Sequence, residues 1–253
     1  MDYKSVITAD DFALDEGATD GILYCLDKQL IDSVSVCVNA SPRKQELESY
    51  IAKLIVYPVS VGLHINLTEG VALNATTPQT SDMKLFDASR IFTMGESVSY
   101  GIWRLEILAQ LEKFMRLFRR PPAHIDCHQH IAYLIPEAFS AMLSVAVEKN
   151  IDIRSPQPFI TGLRMVGFKQ KVHCRYQVNL GFCPWQRSRQ LAAVYKRYVV
   201  SLKTADVDIN FGDCEHRYVS SNIQSLELVS HPRIENNTVN RDIRFLEKLH
   251  TMQ

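Results

Sequence analysis

The sequence predicts an α/β protein, with a largely parallel sheet and helices packed outside it. Two observations predict this. Short β-prone runs alternate with longer segments whose apolar residues recur at helical spacing, the mark of strand–helix–strand units. Unusual polar residues also gather at the C-terminal ends of those runs, where sites lie in parallel α/β folds. The alternation alone leaves open whether the sheet closes into a barrel.

The elements follow in order. Ser5–Thr8 is a short strand, and residues 15–29 read as a helix with Ile22, Leu23 and Leu26 on one face. Ser33–Val38 is β-branched and short. Pro42 opens a helix to Leu54, with Ser41 as its cap. Val59–Leu67 is a strand. Residues 101–118 form an amphipathic helix whose apolar stripe is Ile102, Leu105, Leu108, Leu111, Met115 and Phe118, ended by Pro121-Pro122. Ala123–Cys127 is a strand, Pro136–Lys149 a helix and Ile151–Arg154 a strand. Gln186–Leu202 reads as a helix, Val207–Phe211 and Ser225–Val229 as strands, and Arg241–His250 as a closing helix. Two stretches, 69–99 and 155–185, lack a regular pattern and read as loops around a site mouth.

Composition narrows the function. At 253 residues the chain fits one domain of barrel size, taken as 1–253. Lys+Arg and Asp+Glu number 28 each, which argues against a nucleic-acid or anionic-membrane binder. No apolar run approaches the ~20 residues of a membrane span. No signal peptide is visible at the N-terminus, and the six cysteines form no CxxC pair. Reduced, buried thiols and a cytoplasmic location are therefore expected.

Four places carry the chemistry. Asp10-Asp11 follows Val6–Ala9. Neighbouring strand residues point to opposite faces, so the two acids converge only where the chain turns. One acid can then hold a metal while the other stays free as a base. The alternative is that one of them caps the next helix. In the second place, period two puts Ser60, Gly62, His64 and Asn66 on one face and Val59, Val61, Leu63, Ile65 and Leu67 on the other. The polar face suits an interior or a pocket; a hydrogen-bonded core histidine is the alternative. Third, His124, Asp126, His128 and His130 share a face. So many imidazoles are hard to explain as packing, whereas imidazole is a common metal ligand that a carboxylate can orient. Fourth, Glu227 and His231 share a face before Pro232. A histidine near a metal but not bound to it suits a general acid, with an unperturbed pKa of ~6.5; a surface loop histidine is the alternative. Arg154, at its own strand end, can pair with a site carboxylate or donate to substrate, or form a surface salt bridge. His173, His216 and His250 have no second site residue beside them and read as structural.

With these pieces in this order, the chain resembles the YdjC-like carbohydrate deacetylases, whose best-known members act on chito-oligosaccharides. The matching segments are Thr8–Phe12, Gly62–Gly70, His124–His130 and Glu227–Pro232. The resemblance implies a distorted TIM-like barrel, an N-acetylated sugar substrate and a homodimer. It also implies one divalent metal ion held by Asp11, His64 and His128, with Asp10 as general base and His231 as general acid. Asp/His ligation suits zinc and accepts magnesium, manganese or cobalt. On this reading Arg154 keeps Asp10 ionised, Glu227 orients His231, and Trp103, Trp185 and Tyr133 are candidate stacking surfaces. The chain departs from the family pattern at Ala13 and Arg233, where glycine is usual. Three other readings compete. One is a two-metal phosphoesterase drawing on His124, Asp126 or His130; one is a metal-dependent sugar isomerase; one is a binding protein without turnover.

Overall fold

The computed structural model describes residues 4–40, 44–94, 97–155, 197–201 and 225–251. Seven parallel strands pair in chain order, and the last returns to the first to close a barrel. They are β1 (Lys4–Phe12), β2 (Ser33–Val36), β3 (Ser60–Ile65), β4 (His124–Cys127), β5 (Asp152–Ser155), β6 (Arg197–Ser201) and β7 (Ser225–Ser230). The closing register runs from Lys4 opposite Ser225 to Ala9 opposite Ser230. This is the distorted TIM-like barrel that the resemblance implies. A two-stranded hairpin follows, β8 (Ile234–Glu235) with β9 (Thr238–Val239).

The helices are α1 (Glu16–Asp27), α2 (Lys44–Leu54), α3 (Ala88–Met94), α4 (Tyr100–Phe118), α5 (Ile131–Leu134), α6 (Pro136–Lys149) and α7 (Arg241–His250). The apolar core lies between them and the outer face of the strands. Val34, Val36, Val61, Leu63, Ile65, Ile125 and Ile153 meet Ile22, Leu47, Leu54, Trp103, Ile107, Phe114 and Met142 there. Each fully buried side chain of this size stabilises by about 1.5–3 kcal/mol. Among the described residues, Cys25, Cys37 and Cys127 are free and buried, as expected of reduced thiols. No single described helix is long and apolar enough to cross a membrane.

Three readings change. Within the expected helix Gln186–Leu202, Arg197–Ser201 is the strand β6, paired with β5 on one side and β7 on the other, and the rest of that range lies outside the described residues. Tyr198-Val199-Val200 is aromatic and β-branched, and the ring needs a strand there to close. The stripe on α4 is rotated from the one expected. Trp103, Glu106, Ile107, Gln110, Leu111, Phe114 and Phe118 are buried, and Leu105 is 46% exposed. Counting only apolar residues skipped Glu106 and Gln110, which occupy the buried face. The 69–99 stretch holds α3 and is pinned from beneath. The Glu106 carboxylate accepts from Leu73 N, Asn74 N and Thr77 Oγ1 at 2.9–3.0 Å. The expected Ser41 cap, the strand Val207–Phe211, the loop 156–185, Trp185, His173 and His216 lie outside the described residues.

The inner face of the strands is polar. Ser35 on β2 reaches His124 and Asp126 on β4, and Asp10 on β1 reaches Arg154 on β5. Such contacts between strands that are not neighbours run only through the lumen. Gly62 makes room for this filling. A Cβ there would lie 2.2 Å from the His124 ring. Gly62→Ala is therefore expected to destabilise the fold by about 1–3 kcal/mol, the usual effect of overpacking. That lowers the melting midpoint by roughly 2–4 °C per kcal/mol for a chain of this size. Calorimetry checks it, and an unchanged midpoint would mean that the ring does not fill that space.

Candidate active site

The Asp10-Asp11 pair lies within β1, which runs on to Phe12. The register with β2 shifts between Ala9 and Phe12. This bulge resolves the problem of strand alternation, since bulges re-aim side chains. Asp11 takes a left-handed φ of 75°. Both acids are then buried at the carboxyl end of the barrel, Asp10 at 3% and Asp11 at 9% exposure. Neither caps α1: that is Asp15, which accepts from Ala18 N at 2.9 Å. Ala13 follows at φ 63°. It holds, with a Cβ, the left-handed conformation in which glycine is usual, a strain of roughly 1–2 kcal/mol.

Arg154 organises the acids. Its Nη1 and Nη2 donate to Asp10 Oδ2 and Oδ1 at 2.6 and 2.8 Å. Nη1 also stands 2.7 Å from Asp126 Oδ2, and Nη2 donates to Glu227 Oε1 at 3.0 Å. Burial would lower the Arg154 pKa, but the charges of Asp10, Asp126 and Glu227 raise it well above the usual value. The expected pairing of Arg154 with Asp10 is present.

Asp126 holds His64. Asp126 Oδ1 faces His64 Nδ1 at 2.6 Å, while Ser35 Oγ donates to Oδ2 at 2.6 Å. Burial would raise the Asp126 pKa, but Arg154 and His64 hold it well below the carboxylate range. His64 Nε2 then lies 3.2 Å from Asp11 Oδ1, and His128 Nδ1 lies 2.7 Å from the same oxygen. Asp11, His64 and His128 offer one donor atom each within 4.8 Å of one another. Burial opposes a charge on all three. The hydrogen bonds from His128 and His64 nevertheless lower Asp11 well below its usual pKa. Asp126 and Asp10 push His64 up to about 10, and Asp11 raises His128. A buried carboxylate with two imidazoles, one braced by a second carboxylate, has the donor chemistry of a transition-metal site. A second group, Asp10, His64 and Asp126, lies equally close, but Arg154 already contacts both its acids.

The three histidines of the fourth strand and its exit separate. His124 is buried, with Nε2 at 2.8 Å from Ser35 Oγ. His128 joins the donor cluster. His130 is exposed, its ring 6.2 Å from that of Tyr133. The strand ends at Cys127, and Gln129 and His130 take φ of 52° and 60°. Period two stops applying there, so the shared face expected for 128 and 130 is lost. Asn66 turns the chain after β3: its Oδ1 accepts from Thr68 N and Glu69 N at 3.2 and 3.0 Å.

His231 follows β7 directly. Register pairs Ala9 with Ser230, the last residue of β7, so His231 leaves the strand at the β1–β7 seam of the barrel. Its backbone N–H donates to Asp242 Oδ2 at 2.7 Å, and its carbonyl accepts from Asn240 Nδ2 at 2.7 Å. Asp242 also stands 4.0 Å from Nδ1. Sequence reasoning matched His231 with Glu227. Glu227 accepts from Thr8 Oγ1 at 2.6 Å and from Arg154, so it points into the lumen. Gly21 lets the 232–233 backbone lie on α1; a Cβ there would be 2.5 Å from Arg233 N. Arg233 turns to Asp15 and Glu235, at 2.9 and 3.1 Å. Two expected sugar platforms are closed off. Trp103 is fully buried, and Tyr133 is buried with its hydroxyl on the Arg154 carbonyl.

Sequence reasoning missed Ser35, Glu69 and Asp242. Ser35 was legible from the period-two rule applied to Ser33–Val38. Asp242 was not, since a helix N-terminus gave no sign of what it faces.

The profile of the YdjC-like protein family matches residues 4–249, and the chain belongs to that family. It is 29% identical over 154 residues to a chitooligosaccharide deacetylase of Proteus mirabilis, covering 61% of this chain and 59% of that one. It is 30% identical over 158 residues to a chitooligosaccharide deacetylase of Escherichia fergusonii, covering 61% and 60%. The matches thus span about three-fifths of these relatives' length. Among solved structures, a protein of Enterococcus faecalis, provisionally named for cellobiose-phosphate cleavage, superposes with a TM-score of 0.66. It is 18% identical and covers 93% of this chain and 83% of its own. A lactam utilization protein of Thermus thermophilus superposes at 0.50 with 11% identity, covering 89% and 90%. At these identities the structures speak for the barrel alone.

Two outcomes are expected. Arg154→Met leaves three buried carboxylates without their cation and should destabilise by about 3–5 kcal/mol, read by urea unfolding. Arg154→Lys should not restore the wild type, because an ammonium lacks the planar fork. Secondly, the raised pKa of His64 contributes stability to metal-free protein that is complete below pH 6.5 and is lost as pH rises through about 10. The melting midpoint in chelator should fall across that window, and zinc binding at pH 7 should release protons, measured by calorimetry in two buffers.

Proposed function

We propose that this protein is a metal-dependent hydrolase that removes N-acetyl groups from an amino sugar or chito-oligosaccharide. One observation carries the reading: an arginine-held carboxylate, Asp10, stands beside a buried Asp–His–His donor set. Membership of the YdjC-like family and the named deacetylase relatives support it. Asp11, His64 and His128 would hold the ion, with zinc or magnesium favoured and manganese or cobalt accepted. Such an ion supplies Lewis acidity to an amide carbonyl and acidifies water.

The chain's own groups do the rest. Asp10 accepts a proton from the attacking water as its oxygen bonds to the acetyl carbon. Arg154 holds both Asp10 oxygens yet leaves each a lone pair, so the base is oriented. The C–N bond then breaks. The amine leaves only once protonated, and His231, partly exposed at the seam, donates that proton. Acetate and the free amino sugar result. The Asn240 and Asp242 contacts fix the backbone that carries His231.

The phosphoesterase reading is weaker. A second ion would need Asp10 and Asp126, whose oxygens are committed to Arg154, His64 and Ser35. Nor do the two departures from the family pattern obstruct the site. Ala13 adopts the turn conformation, and Arg233 pairs away with Asp15.

The test is released acetate from N-acetylglucosamine oligomers with metal-loaded protein. Wild type should turn over, and Asp10→Asn should lose at least ~100-fold, the low end of general-base effects. Metal bound at about one per chain with no acetate released would overturn the deacetylase reading.

A further inference from the structure

We propose that Glu69 is a positioning residue for the third metal donor, holding His128 by Nε2 so that Nδ1 is the atom offered to the ion. The inference rests on the metal-dependent reading above and names the carboxylate that completes its site.

His128 lies between two carboxylates. Nδ1 faces Asp11 Oδ1 at 2.7 Å, and Nε2 faces Glu69 Oε2 at 3.4 Å. Nε2 is buried and makes no hydrogen bond. A neutral imidazole that gives its Nδ1 lone pair to a metal carries its proton on Nε2, and metal-bound histidines nearly always donate that proton to a carboxylate, carbonyl or water. Glu69 is the carboxylate in place, and a small contraction makes the contact a hydrogen bond. It sits across the ring from Asp11, so it braces the histidine without ligating the same ion.

Glu69 is itself held. Gln129 Nε2 donates to its Oε1 at 2.6 Å, and Thr68 Oγ1 donates to Gln129 Oε1 at 3.2 Å. Its backbone N–H donates to Asn66 Oδ1. Gln110 on α4 clamps Asn66, accepting from its N at 3.0 Å and donating to its O at 2.8 Å. A half-exposed side chain bound this closely to its neighbours is not a solvated surface acid. The arrangement inverts the one at His64, where Asp126 takes Nδ1 and Nε2 faces Asp11. The two imidazoles thus present opposite nitrogens, each backed by its own acid.

Zinc affinity, measured by competition with a chromophoric chelator, tests the assignment without reference to turnover. Glu69→Ala should weaken zinc roughly 10–100-fold, the usual effect of losing such a partner. Glu69→Gln, which keeps an acceptor oxygen without the charge, should fall between. Glu69 is half exposed, so neither change touches the core. Long-range proton–nitrogen NMR of zinc-loaded protein should show His128 metal-bound at Nδ1 and protonated at Nε2. Unchanged affinity in Glu69→Ala, or metal on Nε2, would overturn the proposal. Absence of zinc binding by wild type would overturn it together with the metal site. Tight zinc binding that Glu69→Ala weakens, with no acetate released, would support it while the deacetylase reading fell.

Discussion

One guanidinium facing three carboxylates is the constraint on which the rest of the barrel depends. In most closed α/β barrels the lumen is filled with branched apolar side chains. Here it holds Thr8, Ser35, His64, His124, Asp126, Arg154 and Glu227. Buried ion pairs gain little over an apolar filling and become costly when one partner is lost. Such an interior persists as a fold only because the apolar shell between strands and helices supplies the stability. What the polar lumen contributes is position: Arg154 ties β1, β4, β5 and β7 to one point, and Asp10 cannot move without moving all of them.

The bulge in β1 serves the same end. Adjacent acids on a regular strand face opposite ways. The register shift and the positive φ at Asp11 turn the second acid toward the histidines while the first stays on Arg154. Four of the ten non-glycine residues with positive φ among those described, Asp11, Ala13, Gln129 and His130, lie beside the place where chemistry is proposed.

Much of this was legible in the sequence, and the misses have physical causes. Alternation correctly put His64 on a polar inner face with Leu63 and Ile65 outside, because a strand buried on both faces still keeps period two. It failed at His130, one step past a strand end, where two positive φ angles reset the direction. It failed on α4 because buried Glu106 and Gln110 carry loop contacts that an apolar count does not see. Arg197–Ser201 was read as helix because its neighbours have helical spacing, yet closure of the ring outweighs local pattern. His231 lies just beyond the strand, where Asn240 and Asp242 hold its backbone, contacts that spacing along β7 does not reveal.

Charge counting links the lumen to substrate choice. The described site has five carboxylates, Asp10, Asp11, Glu69, Asp126 and Glu227, against one guanidinium. With His64 and His128 both protonated, the sum is about −2 in elementary charge, with each carboxylate counted as −1. With both neutral and a dication between them, it is the same. A divalent ion can therefore replace two protons without disturbing the electrostatics that hold the barrel together, which favours a site built for one ion and not two. The same surplus bears on substrate. Among the described residues, Arg154 is already divided among three acids and is not free to meet a phosphate dianion. On the proposed reading the substrate's acetamide is neutral and meets no such penalty.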